Sequence, residues 1–205
     1  MVITPRQDQL KRGVIMKYDM LETKRLILKS GTYEDYLTVY EYDFTKLRNI
    51  AGEFEFVKLD QNKVEEYSKY HMEEKNNVFD FIIYLKNNMT PIGNVILDKT
   101  NEMKNSLEIA FNLHPNYWRN GYMTEAVIEI MKYIFNNTNY NAIIYGYAED
   151  NYKSKGVNKK IGFEYYDEYE EYYPRFNKNI RTIKTIMTKD RFKKIYNKEV
   201  IINGW

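Results

Sequence analysis

The stretch from Leu107 to Ile134 constrains the fold more than any other part of the chain. An apolar run, Leu107 to Leu113, stops at a Pro115-Asn116 break. A short aromatic and basic turn follows, Tyr117-Trp118-Arg119-Asn120-Gly121-Tyr122, with one glycine. Met123, Val127, Ile130, Met131 and Ile134 then recur at helical spacing, with the acidic Glu125 in the first turn. Strand, glycine turn and helix N-terminus are the layout of an anion cradle. First-turn amides have no intrahelical partner, and the helix dipole puts partial positive charge beside them. Gly121 lets the backbone approach a phosphate without a Cβ in the way. Arg119 can add a charged hydrogen bond. A glycine between strand and helix also serves as a plain turn, and the stretch is neither a Walker loop nor a dinucleotide loop.

The surrounding pattern supplies the rest of the architecture. Arg25 to Lys29 reads as a strand. Thr32 caps a helix with Tyr36, Leu37, Tyr40 and Phe44 on one face, and Asp60 caps a second with Val64, Tyr67 and His71. Phe54 to Leu59 is ambiguous. Phe79–Leu85, Pro91–Leu97 and Ser106–Leu113 are strands separated by short polar turns, which predicts an antiparallel meander. Asn141–Ala148, reached through the helix ending near Asn137, is predicted to run parallel to its predecessor. A short helix, Tyr152–Lys160, ends at Gly162. Tyr165–Tyr173 and Arg181–Thr188 read as a closing hairpin. The expected class is α/β, a mixed sheet with helices on both faces. Residues 1–20 read as a flexible extension, with Met16 an alternative start, and residues 21–205 as one domain.

Composition narrows the function. The 205 residues carry a net charge of +2, which gives no strong pull toward nucleic acid or membrane. There is no cysteine, which removes disulfides, thiolate metal ligands and a cysteine nucleophile, and fits a reducing cytoplasm. No apolar run approaches the ~20 residues of a transmembrane helix. His71 and His114 are the only histidines, and neither has a second ligand at metal spacing, so no metal site is expected. Most of the 21 tyrosines, beside many Lys, Asn and Ile, are read as codon bias rather than as an aromatic binding surface.

The string Asn116-Tyr117-Trp118-Arg119-Asn120-Gly121-Tyr122-Met123-Thr124-Glu125-Ala126 resembles the pyrophosphate loop of the GNAT acetyltransferases. The nearest branch includes the ribosomal-protein N-terminal alanine and serine acetyltransferases. Three segments agree in family order: Leu21 to Leu28, Pro91-Ile92-Gly93-Asn94-Val95, and Asn151-Tyr152-Lys153-Ser154 followed by Ile161-Gly162-Phe163. The match spans roughly Leu21 to Lys189. The resemblance implies a GNAT-like fold whose central, mostly antiparallel sheet has a parallel pair splayed around the cofactor. It implies acetyl-CoA as cosubstrate, bound by the loop residues Arg119, Asn120, Gly121, Tyr122, Met123 and Thr124, by Ile109, Ala110 and Phe111 on the strand, and by Asn151. Met123 departs from the family's Gly or Ala and either crowds the pyrophosphate or turns into the core.

Acetyl transfer needs a base for the amine, a donor for the thioester oxygen and a proton for the leaving thiolate. Glu108 stands at the place of the family's strand glutamate and is the base candidate. The alternative is a glutamate facing solvent on the Ala110 side of the strand. The family's usual tyrosine acid falls on Asn158 and is absent. Ser154 matches the serine of the ribosomal branch and becomes the acid candidate, or is merely a cap or surface serine. Lys153 and Lys155 either help hold phosphates or are solvated. Asp167, Glu168, Glu170 and Glu171, interleaved with tyrosines, either rim the acceptor site and favour cationic amines or form a solvated hairpin. His114 is expected to be structural. The resulting expectation is an N-acetyltransferase that moves an acetyl group to a primary amine, on a small molecule or a protein N-terminus, by direct attack in a ternary complex. The alternative is a non-catalytic acyl-CoA-binding or interaction module. Neither nucleic acid nor membrane is expected as a partner, and a homodimer stays open.

Overall fold

Thr32 starts a helix as its place before an apolar stripe predicts. In the computed structural model, which describes residues 20–41, 60–66, 77–173 and 177–196, its hydroxyl accepts from the Asp35 amide while Asp35 accepts from the Thr32 amide. This reciprocal cap opens α1, Tyr33–Val39. Asp60 caps the helical stretch 61–66 by accepting from the Lys63 amide at 3.0 Å. Phe44, residues 54–59, Tyr67 and His71 lie outside the described residues.

The strands are β1 (Leu21–Glu22), β2 (Leu26–Lys29), β3 (Asn77–Leu85), β4 (Pro91–Lys99), β5 (Ser106–Leu113), β6 (Ala142–Ala148), β7 (Glu164–Tyr173) and β8 (Lys178–Thr188). They form one sheet in the order β1-β2-β3-β4-β5-β6-β8-β7. The remaining helices are α2 (Tyr122–Asn137), α3 (Tyr152–Ile161) and α4 (Lys189–Tyr196). The class is the expected mixed α/β one, with a mostly antiparallel sheet, one parallel pair and helices around it. The chain divides into two compact units, each discontinuous in sequence: Met1–Asp98 with Ala110–Glu129, and Lys99–Ile109 with Ile130–Trp205.

In the first unit β1, β2, β3 and β4 pair antiparallel in succession. The segment Leu21 to Leu28 is not one strand. Thr23 accepts from the Leu26 amide at 2.9 Å and donates its own amide to Leu26 O, so β1 and β2 turn back on each other with Leu21 opposite Leu28. Leu26, Ile27 and Leu28 are all buried, so both faces of β2 are covered rather than one. Ile27, Tyr36, Val39, Tyr40, Ile82 and Tyr84 form one buried cluster that seats α1. Beside it Asn94 donates to the Tyr40 hydroxyl at 2.9 Å and accepts from Asn112, which satisfies a buried amide. A Cβ at Gly93 would sit 2.3 Å from Asn112 O, so this motif position takes only glycine.

The second unit contains the parallel ladder, from Ser106 opposite Ala142 to Glu108 opposite Ile144. β6 and β8 pair antiparallel, and β7 closes on β8 as the predicted hairpin. α3 packs on β6 and α4 on β8. The sequence reading did not foresee α4. Thr188 caps it by accepting from the Arg191 amide at 3.2 Å, Phe192 packs against Phe135 at 5.4 Å, and the Tyr196 hydroxyl donates to Ile161 O at 2.8 Å. No described helix is long and apolar enough to cross a membrane.

Candidate active site

The turn before α2 is built in the first unit by a set of local bonds. The Trp118 indole donates to Leu113 O at 2.6 Å, and the Asn120 amide side chain donates to Tyr117 O and Trp118 O. His114 accepts from the Asn116 amide, and burial lowers its pKa while Glu41 opposes. It caps the short helical turn Pro115–Tyr117. Arg119 (φ 63°) and Gly121 (φ 78°) both stand in the left-handed region. The backbone therefore reverses twice, and the amides from Arg119 to Thr124 donate to no group among the described residues. These amides lie at the N-terminus of a sixteen-residue helix.

Arg25 holds this turn in place. Its Nη1 donates to Asn120 O at 2.9 Å, its Nε to Glu125 at 2.7 Å, and its guanidinium lies 4.5 Å from the centre of the Tyr122 ring. Thr23 donates to the same carboxylate at 2.6 Å. Burial disfavours the charged form of Glu125, but the bonds from Thr23 and Arg25 outweigh it and hold the carboxyl below its usual range. Sequence reasoning left Arg25 as part of a strand and missed these contacts with the turn. Met123 is buried, so its side chain turns into the core. That resolves the departure at this position: the larger side chain does not occupy the exposed turn. Arg119, Asn120 and Gly121 are exposed, and Tyr122 and Thr124 half-buried. The unpartnered amides and the open Cα of Gly121 suit a doubly charged pyrophosphate.

In the second unit, Glu108 is exposed and Ile109 buried, so the strand places the carboxylate away from the core. Glu108 is the last residue of the parallel ladder on β5. Its Oε1 lies 3.9 Å from where a Cβ at Gly146 would stand. Asn151 caps α3 and accepts from the Ser154 amide at 3.1 Å. Tyr145 follows Ile144, where the ladder ends, and alternation puts it on the sheet face opposite Glu108. Asn158, at the family's tyrosine position, is buried and donates to Thr185 Oγ1 at 2.5 Å. It ties α3 to β8 and has no acid to offer.

The acetyltransferase (GNAT) domain matches residues 25–164 of this sequence. The chain belongs to the GNAT acetyltransferase family. As a member it is an acetyltransferase, of a family that uses acetyl-CoA. YnaD of Bacillus subtilis (strain 168), an uncharacterized N-acetyltransferase, is 29% identical over 158 residues, covering 77% of this chain and 89% of that protein. The GNAT acetyltransferase of Bacillus anthracis has the same fold, with a TM-score of 0.69 at 20% identity, over 84% of this chain and 99% of that one. The ribosomal-protein-S5-alanine acetyltransferase of Vibrio fischeri does too, with a TM-score of 0.61 at 21% identity, over 86% of this chain and all (100%) of that one.

The acidic hairpin divides between two faces. Asp167 stands opposite Lys184, and Lys184 opposite Gly146, so Asp167, Tyr169 and Glu171 share the face of Glu108. On that face Lys184 is paired with Glu102 and lies 5.1 Å from the Tyr169 ring centre. Glu168 and Glu170 point to the other face, where Arg181 binds Glu168 at 2.5 Å and Glu149 at 3.2 Å. The segment is therefore not a single rim. Ala110 and Phe111, exposed and half-buried, fall in the first unit with the turn, and Lys153 and Lys155 are exposed on α3.

Proposed function

We propose that this acetyltransferase moves an acetyl group from acetyl-CoA to a primary amine by direct attack in a ternary complex. The observation that carries the reading is the turn before α2, with its unpartnered amides and left-handed Arg119 and Gly121. Those amides would hold the pyrophosphate, with Arg25 keeping the turn in shape. Ile109, Ala110 and Phe111 would line the acyl arm through strand backbone. Glu108 would take the proton that an attacking amine must lose, since free amines are charged below a pKa of about 10. With no cysteine in the sequence, no cysteinyl intermediate forms and the amine attacks the thioester itself. The nitrogen bonds to the acetyl carbon, the C–S bond breaks with its electron pair on sulfur, and the nitrogen's proton goes to Glu108. Ser154 would face the departing sulfur. Glu108 and Tyr145 flank the end of the parallel ladder on opposite faces, which supports a thioester passing there between β5 and β6.

The acceptor is a primary amine on a small molecule or a protein N-terminus. The test is an acetyl-CoA assay against amines of four classes, a peptide N-terminus, an aminoglycoside, a polyamine and an amino sugar, with thiol release and acetylated product both measured. Turnover of one class with matched thiol and product supports the proposal. Thiol release without acetylated product contradicts it.

A further inference from the structure

Among the described residues, the buried polar side chains are Asn94, Ser106, Asn158, Thr182 and Thr185. Asn94 donates to the Tyr40 hydroxyl, Ser106 to Met103 O, Asn158 to Thr185 and Thr185 to Tyr145 O. Thr182 is only 6% exposed, yet its hydroxyl has no hydrogen-bond partner among the described residues. That oxygen still touches the surface. Thr182 and Gly146 share the sheet face of Glu108, and Gly146 stands two residues past the end of the parallel ladder. A Cβ at Gly146 would meet Thr182 Cγ2 at 3.7 Å and Glu108 Oε1 at 3.9 Å. We propose that Gly146 and Thr182 form the subsite for the acceptor amine. The missing side chain at Gly146 leaves the amine room between Thr182 and Glu108, and the Thr182 hydroxyl accepts one of its N–H groups. This rests on the reading of Glu108 as base proposed above.

A glycine inside a strand weakens it, and marks a bulge, a close approach of backbone or the approach of a ligand. β6 and β8 pair without a register break from Ala142 to Ala148, so Gly146 makes no bulge. The atoms nearest its absent Cβ belong to side chains at ordinary contact distance, so no backbone presses on it. Its φ lies outside the left-handed region, where other residues fit as well. The fold does not need a glycine here, which leaves the open space as its reason. A buried hydroxyl without a partner is costly in the same way, and a group from outside the chain can satisfy it. The donor count of the reaction supplies that group. An attacking primary amine carries two N–H groups and one lone pair, and the lone pair must face the acetyl carbon. One N–H gives its proton to Glu108. The other stays in the amide product, and Thr182 Oγ1 accepts it. The two contacts together fix the direction of the lone pair.

The experiment compares Thr182→Val, Thr182→Ser and Gly146→Ala with the wild type, using acetyl-CoA and an amine the wild type turns over. Wild-type turnover and Glu108→Gln are read first and test the acetyl-transfer and base readings by themselves. Thr182→Val keeps the shape and removes the hydroxyl. Its kcat/KM for the amine should fall about tenfold, the worth of one hydrogen bond. Its CoA Kd should stay within about twofold, and its Tm should be no lower than the parent's, since no bond within the chain is lost. Thr182→Ser keeps the hydroxyl and should restore kcat/KM to within about twofold. Gly146→Ala should lower kcat/KM for the amine about tenfold or more as the nitrogen is displaced from Glu108, again with CoA affinity and Tm kept. A Thr182→Val enzyme with the parent's kcat/KM overturns the proposal. So does a Thr182→Ser enzyme as slow as Thr182→Val, or a Gly146→Ala enzyme with the parent's kinetics. A Thr182→Val protein that loses Tm and CoA affinity along with activity also overturns it, because the hydroxyl would then serve the fold.

Discussion

Gly121→Ala separates a designed anion turn from an ordinary one. Gly121 has φ of 78°, and an added Cβ would lie 3.6 Å from the nearest atom, Arg25 Nη2. That is ordinary contact, so the substitution costs conformational energy rather than a clash. A non-glycine residue in the left-handed region costs ~1–2 kcal/mol. Alanine also restricts the unfolded chain, which returns ~0.4–1 kcal/mol. At the middle of those ranges the net penalty is ~0.8 kcal/mol, or a Tm lower by ~2–3 °C for a chain of this size. If the turn relaxes to avoid the strain, the penalty moves to binding, and the CoA Kd rises by up to about tenfold. Arg119→Gly is the internal control. Arg119 already carries the same strain at φ 63°, so glycine there should not lower the Tm. Differential scanning fluorimetry and calorimetry with CoA read both quantities. A Gly121→Ala protein with unchanged Tm and unchanged CoA affinity would refute the reasoning, because neither state would then use the left-handed turn.

Other outcomes follow from the same geometry. Glu108→Gln should leave CoA affinity unchanged and lower kcat by a factor on the order of 10²–10⁴, read by thiol release. Arg25→Met should weaken CoA binding through the turn it holds, since it removes the bonds to Asn120 and Glu125. A calorimetric Kd equal to the parent's would count against it. Asp167→Asn with Glu171→Gln should raise the KM of a cationic amine and weaken its salt dependence, whereas Glu168→Gln with Glu170→Gln should not; equal effects from both pairs would mean that face does not matter. The folded pKa of Glu125 is lowered. Its stabilisation is therefore present above the unfolded value of about 4.3 and is lost as pH falls through the folded value. Urea midpoints followed from pH 7 to pH 3 should fall less steeply in Glu125→Gln, and parallel curves would contradict the assignment.

Much of the fold was legible because burial and backbone chemistry repeat at short range. The strand limits of β5, the cap at Thr32 and the end of α3 at Gly162 are each written in a few adjacent residues. What was not legible depends on residues far apart in sequence. Arg25 reads as one charge in a strand until the chain brings it to Glu125, one hundred residues away. Met123 left two outcomes open, because burial of a side chain at a helix start depends on the packing around it. The acidic hairpin shows the opposite failing. Its alternation was present in the sequence, but reading it as one acidic patch ignored that successive strand residues face opposite ways. α4 had a signal too, a Thr188 cap before Phe192 and Tyr196 one turn apart.

The central claim is acetyl transfer from acetyl-CoA to an amine with Glu108 as base. The direct measurement is acetylated product by mass spectrometry, alongside thiol release, for wild type and Glu108→Gln at equal CoA occupancy. The account predicts one product per thiol in the wild type and a loss of both, on the order of 10²–10⁴-fold, in the variant. CoA that raises the Tm of both proteins while neither acetylates any of the four amine classes would contradict it, and would point to a scaffold that binds acyl-CoA without turnover.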